Sequence, residues 1–487
     1  MRSARSFAAT SPVVVSAPFL IVALAWLAFC TVFLAVLFPI SGPFDLAIRT
    51  AIAVVPLSLL IVLKGAGQGR RWGVAATLAV ILMVTDLVLR RRGLSETGLD
   101  FQTAGKILVW GLGLIVALVN RDRLRVALSH PPVLLFLVFA LWCLITTFYS
   151  PIKLFSLGST LSLVSIIIFC AVARSFLTDT ELLRVSIGAL SVLLVTSLLM
   201  YALVPSMALA PMGSGNILRL AAPLGTPNSL GRSAALAVLL SVVGVATGRL
   251  RWTSPIVLVG FFSGSACLYL SQSRTATIAV FVALVIVWMF QSGWRVLAAA
   301  VGIALTGLVY VFSNVDLHEI AQLISRTGRV KEVATLTGRT DIWAFFWGEI
   351  SKSPLLGYGY ASTKELMPLL YRTFYGFTAT HAHNMWLQIW FTTGVVGVIL
   401  LLTTMIVQAR YAWQARDTVG LVVLAFVAVV GVPEAGHVAA VPNVLTVMWV
   451  LWLSKRIPDT THGSNERVGQ TNRRGLSGRG PSGPVAR

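Results

Sequence analysis

Windows without a single charged residue constrain this chain more than any other feature of its sequence. Residues 19–38, 154–173, 275–294 and 384–409 contain no Asp, Glu, Lys or Arg. About 20 apolar residues are enough for a helix to cross the hydrocarbon core of a bilayer. Because 57% of all residues are apolar and only 11% are charged, no soluble core could hide this much apolar surface. The pattern predicts a polytopic membrane protein and excludes a soluble enzyme, a disordered regulator and a coiled coil.

The apolar runs predict an all-α fold with about 14 transmembrane helices, in a range of about 12 to 14. Their number is least well defined over residues 46–120. There Arg49, Asp86 and Lys106 interrupt the apolar runs.

The chain divides into three predicted parts. N-terminal transmembrane helices occupy residues 1–204, a second membrane domain occupies 205–453 and contains a long loop at 314–383, and residues 454–487 form a tail. The tail is rich in Gly, Ser, Arg and Pro, so we expect it to be disordered. Basic residues concentrate in the loops on one side of the spans, and the positive-inside rule assigns that side and both termini to the cytoplasm. Most of the net charge of +21 therefore reflects topology rather than nucleic-acid binding, and the long loop is predicted on the external face.

The long loop does not have the composition of a disordered segment. Trp343, Phe346, Trp347 and Ile350 recur at i, i+3, i+4 and i+7, which predicts an amphipathic helix beginning near Thr340. Loops of this length are commonly functional. We therefore expect a folded, partly helical outer loop that caps a cavity at the membrane.

Two histidines close this loop. His381 and His383 stand directly before the uncharged run at 384–409, at the predicted outer boundary of the membrane. On a helix, residues two apart face different directions, and no carboxylate or thiol is suitably spaced, so the pattern disfavours a metal site. The four cysteines lie inside apolar runs without paired spacing, which is typical of small buried residues.

Four arginines on the same predicted side are candidates for binding an anion. Arg274 separates two apolar windows with almost no loop between them, and it either faces a ligand or extends to the lipid headgroups. Arg339 precedes the amphipathic helix, where it either binds a ligand or pairs with Asp341. Arg219 and Arg232 flank a segment rich in Pro and Gly, where Arg232 could be a simple helix-start charge.

Several arginines, one histidine and few acids at an outer membrane surface suit a lipid-anchored diphosphate. A guanidinium binds phosphate through two hydrogen bonds, and a departing diphosphate needs its developing charge stabilised. An attacking hydroxyl needs a base, for which histidine is the usual residue near neutral pH.

Motifs between about Pro205 and Leu453 resemble those of the O-antigen ligase and polysaccharide polymerase superfamily. The strongest consists of His383 and Asn384, then nine residues, then Gly394. The other motifs are GRTDIW at 338–343, PLLGYG at 354–359, SRTA at 273–276 and PNSLG at 227–231. Their order, and their placement around one long outer loop, make a specific set.

The resemblance implies an inverting, metal-independent glycosyltransferase without a cofactor, in the bacterial inner membrane with its site on the periplasmic face. The implied donor is an oligosaccharide linked to undecaprenyl diphosphate. His383 matches the family's catalytic residue, which activates the acceptor hydroxyl, and Arg274 and Arg339 match its diphosphate-binding arginines. Further candidate contacts to donor or acceptor are Arg219, Arg232, Asn384, His381 and Tyr358.

Three functions are consistent with these features. A polymerase of exopolysaccharide or O-antigen repeats is favoured, because an aromatic-rich outer loop suits a long sugar chain. An O-antigen ligase that transfers glycan to lipid A-core is the alternative within the family. A flippase or transporter would place charges at mid-membrane in both halves of a repeat, and the sequence has no such repeat. The expected partners are the lipid-linked oligosaccharide, a glycan or lipid A-core acceptor, membrane lipids, and chain-length regulator or export proteins, with no nucleic acid.

Overall fold

A computed structural model of the chain describes residues 69–88, 101–212, 215–292, 339–370, 380–435, 438 and 440–453. These residues are helical apart from turns and one short hairpin. The first predicted span, the predicted tail and the part of the long loop that precedes Arg339 lie outside the described residues.

The described residues form fifteen α-helices. Their bounds are α1 Gly69–Thr85, α2 Phe101–Val119, α3 Arg121–Leu128, α4 Pro131–Thr146, α5 Lys153–Phe176, α6 Asp179–Leu203, α7 Pro205–Ala208, α8 Pro227–Ala246, α9 Pro255–Ser271, α10 Arg274–Ser292, α11 Arg339–Ile350, α12 Thr363–Leu370, α13 Met385–Gln414, α14 Thr418–Gly431 and α15 Val444–Leu451. Between α7 and α8, strands β1 (Leu209–Met212) and β2 (Gly215–Leu220) pair antiparallel, with Leu209 opposite Leu220.

Six of the described helices are long and apolar enough to cross a membrane, namely α2, α4, α5, α6, α8 and α13. Helices α1, α9, α10 and α14 are apolar but contain shorter apolar stretches. The prediction of a helical membrane protein is confirmed, whereas the number of about 14 spans and the periplasmic placement of the long loop stay predictions. The last predicted span contains only the eight-residue helix α15, which is about 12 Å long and does not cross a bilayer by itself.

Helix α8 lies at the centre of the described bundle. Every residue from Leu230 to Leu240 is buried, because α8 packs against α6, α9 and α10. The helix begins at Pro227, whose fixed φ angle and missing N–H suit a first helical position. Thr226 caps the helix by accepting a hydrogen bond from the Ser229 N–H at 3.1 Å. The start of α8 therefore has a defined position, and its first two turns carry Asn228 and Arg232, which are discussed below.

The amphipathic helix predicted in the long loop is present as α11. Its buried face consists of Ile342, Phe346 and Ile350, and the Phe346 ring lies 5.0 Å from that of Phe391 in α13. Trp347 differs from the prediction. Its side chain is 59% exposed, and its ring meets Trp390 edge-on at 5.5 Å.

Helix α13 is broken at Gly394, the glycine of the strongest sequence motif. Gly394 has φ 70° and ψ −175°, a combination that is essentially restricted to glycine. The segment after Pro354 crosses the helix at this break. The Val395 N–H donates to the Pro354 carbonyl at 3.0 Å, and the Tyr358 N–H donates to the Phe391 carbonyl at 2.8 Å. The break thus frees backbone groups of α13 to bind the neighbouring segment.

The close approach explains why two separate motifs contain glycine. A Cβ atom on Gly394 would lie 1.9 Å from the Leu355 carbonyl oxygen, and one on Gly357 would lie 2.6 Å from the Phe391 carbonyl oxygen. Both distances are far below van der Waals contact and both neighbours are backbone atoms, so neither can move aside easily. The motifs at 354–359 and 383–394 are therefore two sides of one contact.

We expect Gly394→Ala to destabilise the protein by at least about 2 kcal/mol, from backbone strain and the clash with Leu355 together. Thermal unfolding of the detergent-purified protein should show a lower midpoint or no folded protein. Gly158→Ala in α5 is the matched control, because a Cβ atom there has no neighbour within 4 Å. Equal midpoints for Gly394→Ala and the wild type would contradict the proposed packing.

Candidate functional site

A single carboxylate, Glu434, organises a polar cluster at one end of the bundle. It lies in the turn between α14 and α15, and its side chain is only 4% exposed. Its Oε1 accepts hydrogen bonds from Arg339 Nη2 and from Asn228 Nδ2, both at 2.8 Å. Its Oε2 lies 3.8 Å from Arg232 Nη1 and 3.6 Å from His383 Nδ1. Residues from four separate segments thus meet at one side chain.

The charge of Glu434 depends on these partners. Burial opposes ionisation, but contacts with His383, Arg339 and Arg232 outweigh it and hold the pKa of Glu434 well below its usual range. Removing such a carboxylate would leave two guanidinium groups close together and partly desolvated, which is unfavourable. The carboxylate is therefore ionised near neutral pH and neutralises part of the positive charge around it.

Helix α11 brings Arg339 to the cluster. Trp343, four residues further along, lies on the same face of the helix and donates its indole N–H to the Ala382 carbonyl at 3.0 Å. The Ala382 N–H in turn donates to Gln388 Oε1 at 3.0 Å. These two bonds fix α11 against the histidine segment. Arg339 consequently pairs with Glu434 rather than with its sequence neighbour Asp341.

His383 stands at the point where the loop enters α13. Its φ is 49°, in the left-handed region that non-glycine residues seldom adopt, and such strain is often found at functional sites. Asn384 caps the helix, with Oδ1 accepting a hydrogen bond from the Leu387 N–H at 3.0 Å. Nδ1 of His383 is buried toward Glu434, whereas a quarter of the side chain is exposed. The contact of 3.6 Å is an ion-pair distance and too long for a hydrogen bond.

His381 lies directly against His383, with ring centroids 4.1 Å apart. The prediction that the side chains of His381 and His383 face different directions was wrong, because residues 380–384 are not helical. Burial, and then the neighbouring His383, lower the pKa of His381 to about 3. The His381 ring is therefore neutral at physiological pH and adds no positive charge to the cluster.

The same contacts bear on metal binding. The donor atoms of His381, His383 and Glu434 lie within 4.8 Å of one another, a spacing that a metal ion could use. However, both oxygens of Glu434 already face guanidinium groups of Arg339 and Arg232. A divalent cation would have to compete with these two positive charges for the same carboxylate. The expectation of a metal-independent site stays a prediction.

Arg219 holds the neighbouring turn in place. Its Nε donates to the Ser271 carbonyl at 2.7 Å, and its Nη2 donates to the Gln272 carbonyl at 3.3 Å and to Asn228 Oδ1 at 3.2 Å. The side chain is buried. Arg219 therefore connects β2, the turn after α9 and the first turn of α8, and through Asn228 it reaches Glu434.

Arg274 follows that turn as the first residue of α10, and it is half-buried. The preceding Ser273 packs tightly on α8, where a Cβ atom on Gly231 would lie 2.3 Å from the Ser273 Cβ. Gly231 is the neighbour of Arg232 along the chain. The Arg274 turn therefore lies against the same end of α8 that carries Asn228 and Arg232.

Tyr358 is not brought to the Glu434 cluster. Its hydroxyl donates to the Glu349 carbonyl at 3.2 Å, and its ring stacks on Phe391 with centroids 4.7 Å apart. Glu349 is near the end of α11, about 15 Å along the helix from Arg339. These contacts of Tyr358 thus support the packing of the loop.

Sequence reasoning missed Glu434 and did not single out Asn228. One signal was available, because Glu434 is the only charged residue between positions 418 and 454. A lone carboxylate between two apolar runs marks a functional or ion-paired position. Its partners were not readable, since they lie as far as 206 positions away.

Comparison with known proteins gives a partial match to a family model. Residues 259–402 match a family model described as O-antigen ligase. The matched range includes Arg274, Arg339 and His383, whereas Arg232 and Glu434 lie outside it. No curated protein matches the chain.

We expect Glu434→Gln to destabilise the protein by about 3 kcal/mol at pH 7, because two arginines lose their carboxylate. The lowered pKa of Glu434 in the fold means that this stabilisation is present above the unfolded-state pKa of about 4.3 and is lost as the pH falls below it. The difference in unfolding midpoint between wild type and variant should therefore be constant from about pH 6 to 8 and shrink below about pH 4.5. Scanning fluorimetry measures the unfolding midpoints of the wild type and of Glu434→Gln at each pH. Glu365→Gln on α12 is the control, and a difference that does not change with pH would contradict the ionised, paired state of Glu434.

Proposed function

We propose that this protein is a membrane glycosyltransferase, because residues 259–402 match the O-antigen ligase family model. It moves or polymerises glycan repeats from undecaprenyl diphosphate onto a sugar hydroxyl. The observation that carries the proposal is the convergence of Arg339, Arg232 and His383 on the buried Glu434. Two of these residues come from the family segment, and the other two complete the cluster from outside it.

The charge balance of the cluster suits an anionic donor. The guanidinium groups of Arg232 and Arg339 face the Glu434 carboxylate, and Arg219 bonds to Asn228 beside them. Arg274 adds a further charge at the adjoining turn. A diphosphate needs such partners both for binding and for the negative charge that develops as it departs. We assign donor binding to Arg274 and Arg339.

His383 is the proposed base. Its Nδ1 faces Glu434, so Nε2 is the ring nitrogen that takes the proton from the acceptor hydroxyl. The hydroxyl oxygen forms a bond to the anomeric carbon as the bond from that carbon to the diphosphate oxygen breaks, with inversion. The carboxylate of Glu434, 3.6 Å from Nδ1, stabilises the resulting imidazolium through its negative charge.

The proposed setting is the bacterial inner membrane, with both termini in the cytoplasm and the cluster at the periplasmic face. The described helices support a membrane protein, and the Glu434 cluster lies at helix ends rather than within a span. This arrangement favours group transfer at a membrane surface over a flippase or transporter, which needs charges along its path at mid-membrane.

Within this reaction class we favour a polymerase of exopolysaccharide or O-antigen repeats. The exposed ring of Trp347, which contacts Trp390 edge-on, offers a flat apolar surface for a sugar on α11, the helix that carries Arg339. A polymerase must hold a growing chain, and a stacking surface outside the reacting centre suits that task. Transfer to lipid A-core by a ligase is the second candidate, and it uses the same donor chemistry.

We expect the purified protein, reconstituted in liposomes with the lipid-linked repeat of its own organism, to lengthen the glycan without added lipid A-core. Electrophoresis of the products measures chain length. Transfer that occurs only onto lipid A-core identifies a ligase instead. The reaction should proceed in excess EDTA, because arginines stabilise the leaving diphosphate. Complete loss on chelation with recovery on adding a divalent cation would overturn metal independence.

The variants should separate the two roles. We expect His383→Ala to reduce transfer by at least about a hundredfold while it still binds the lipid diphosphate, because loss of a general base removes about that much rate. Arg274→Ala and Arg339→Ala should bind the donor about tenfold more weakly or worse. Arg339→Lys should also impair transfer, because an ammonium group cannot form the paired contact. Arg251→Lys, exposed beyond α8, is the control. Equal loss of donor binding in folded His383→Ala would show that His383 binds the donor rather than acting as the base.

A further inference from the structure

A second polar cavity lies at the opposite end of the same helices. The Glu434 cluster surrounds the starts of α8 and α13, whereas this cavity adjoins the residues that follow both helices. With about 1.5 Å per residue, α8 alone spans roughly 30 Å, which is the thickness of the hydrocarbon core. The two sites thus lie at opposite ends of a helix that is long enough to cross a membrane, and the second cannot be part of the first.

The cavity has a volume of about 790 Å³ and an unusual number of charged lining residues. Arg174, Arg249 and Arg416 contribute guanidinium groups, and Asp179 and Asp417 contribute carboxyl groups. The volume falls in the range of small-molecule sites, which is about 300–1,000 Å³.

One carboxylate is shared between two of the arginines. Asp179 Oδ1 lies 2.6 Å from Arg174 Nη1, and Asp179 Oδ2 lies 2.7 Å from Arg249 Nη2. Asp417 is occupied by capping α14, since its Oδ1 accepts a hydrogen bond from the Gly420 N–H at 3.1 Å. Burial raises the pKa of Asp417, against the opposing effects of that hydrogen bond and of Arg174. The walls of the cavity therefore carry an excess of positive charge.

The guanidinium groups are held in place and one retains an unused donor. Arg174 is only 5% exposed, and its guanidinium lies 4.8 Å from the centroid of the Trp452 ring. Nη1 of Arg249 is buried and has no hydrogen-bond partner among the described residues. A buried N–H without an acceptor is costly, and an anion in the cavity would supply one.

Arg416 lies at the rim of the cavity in a strained backbone conformation. Its φ is 52°, in the left-handed region where glycine or asparagine usually ends a helix. An arginine in this conformation is strained relative to glycine. The exposed side chain therefore contributes charge to the cavity at a position where a smaller residue would be more favourable.

The surroundings indicate a membrane interface. Tyr411 and Trp413, on the last turns of α13, are 38% and 64% exposed. Tyrosine and tryptophan concentrate at the level of lipid headgroups. A phosphate group next to this surface would come within reach of guanidinium donors, which bind it with paired hydrogen bonds.

We propose that the cavity lined by Arg174, Arg249 and Arg416 binds a phosphate-bearing anion, at the membrane surface opposite the glycosyl-transfer site. The phosphate belongs either to an anionic lipid headgroup or to a soluble phosphate. Guanidinium groups would bind the phosphate of either source in the same way. The experiment below distinguishes the lipid headgroup from the soluble phosphate. Because none of these residues touches the Glu434 cluster, the proposal does not depend on the transfer reaction.

The test uses the full-length protein in a neutral detergent, with phosphatidylglycerol, phosphatidylcholine and inorganic phosphate as probes. Native mass spectrometry measures lipid binding, and thermal unfolding measures the shift that each probe produces, with chloride at equal ionic strength as the blank. We expect phosphatidylglycerol to bind better than phosphatidylcholine and to raise the unfolding midpoint by several degrees. A similar rise with inorganic phosphate assigns the site to a soluble phosphate, and its absence assigns it to the lipid headgroup.

Two variants and one control make the test specific. Arg249→Gln and Arg416→Asn should each weaken binding about tenfold, because each removes a charged donor. Asparagine tolerates the left-handed backbone at 416, so this variant should fold even if Arg249→Gln does not. Arg251→Gln removes the same charge two residues from Arg249 but outside the cavity, and it should bind as the wild type does. Equal binding in Arg416→Asn and Arg251→Gln, or no preference of the wild type for any anionic probe, would overturn the proposal.

Discussion

The candidate site depends on one interaction, the pairing of the buried Glu434 carboxylate with the guanidinium groups of Arg339 and Arg232. A carboxylate that is 4% exposed is stable only when its charge is complemented, and the arginines in turn need a counter-charge to lie so close together. The first turn of α8, helix α11 and the histidine segment are consequently held at fixed positions relative to one another. His383 acquires its orientation from the same carboxylate.

The broken helix α13 supplies the rigid support for this arrangement. A continuous helix would have its backbone groups hydrogen-bonded internally, and it would present only side chains to the loop. The break at Gly394 instead exposes backbone groups that bind the segment from Pro354 to Tyr358. That segment follows α11 directly. Its contact with α13 therefore also fixes α11 and Arg339 relative to α13, the helix that begins beside His383. Glycine at 357 and 394 is the geometric condition for this contact.

The two ends of the bundle use a common electrostatic device. In each, one carboxylate lies between two arginines: Glu434 between Arg339 and Arg232, and Asp179 between Arg174 and Arg249. The carboxylate holds the guanidinium groups in place and removes part of their repulsion. Guanidinium groups that are preorganised in this way suit anions at a membrane surface, because little rearrangement is needed on binding. A carboxylate shared between two arginines explains how a chain with few acidic residues keeps these arginines ordered.

The sequence by itself determined the membrane class, the helical character of the described spans and the amphipathic helix α11. These features rest on apolar composition and on spacing within a few turns, which are local properties that survive whatever the rest of the chain does. The motifs also resemble the O-antigen ligase family, whose model matches residues 259–402, and that range contains Arg274, Arg339 and His383. The buried face of α11 was predicted only in part, because Phe346 and Ile350 are buried as expected whereas Trp343 and Trp347 are not.

Only the tertiary structure decided which partners these residues have. Arg339 was open to pairing with Asp341, yet it pairs with Glu434, 95 positions away. His381 and His383 were expected to diverge, yet their rings meet because the loop is not helical. Asn384 proved to be a helix cap and Arg219 a brace for the Arg274 turn. The physical reason is the same in each case: ion pairs and hydrogen bonds between distant segments depend on how helices pack, and no local pattern in the sequence encodes that distance.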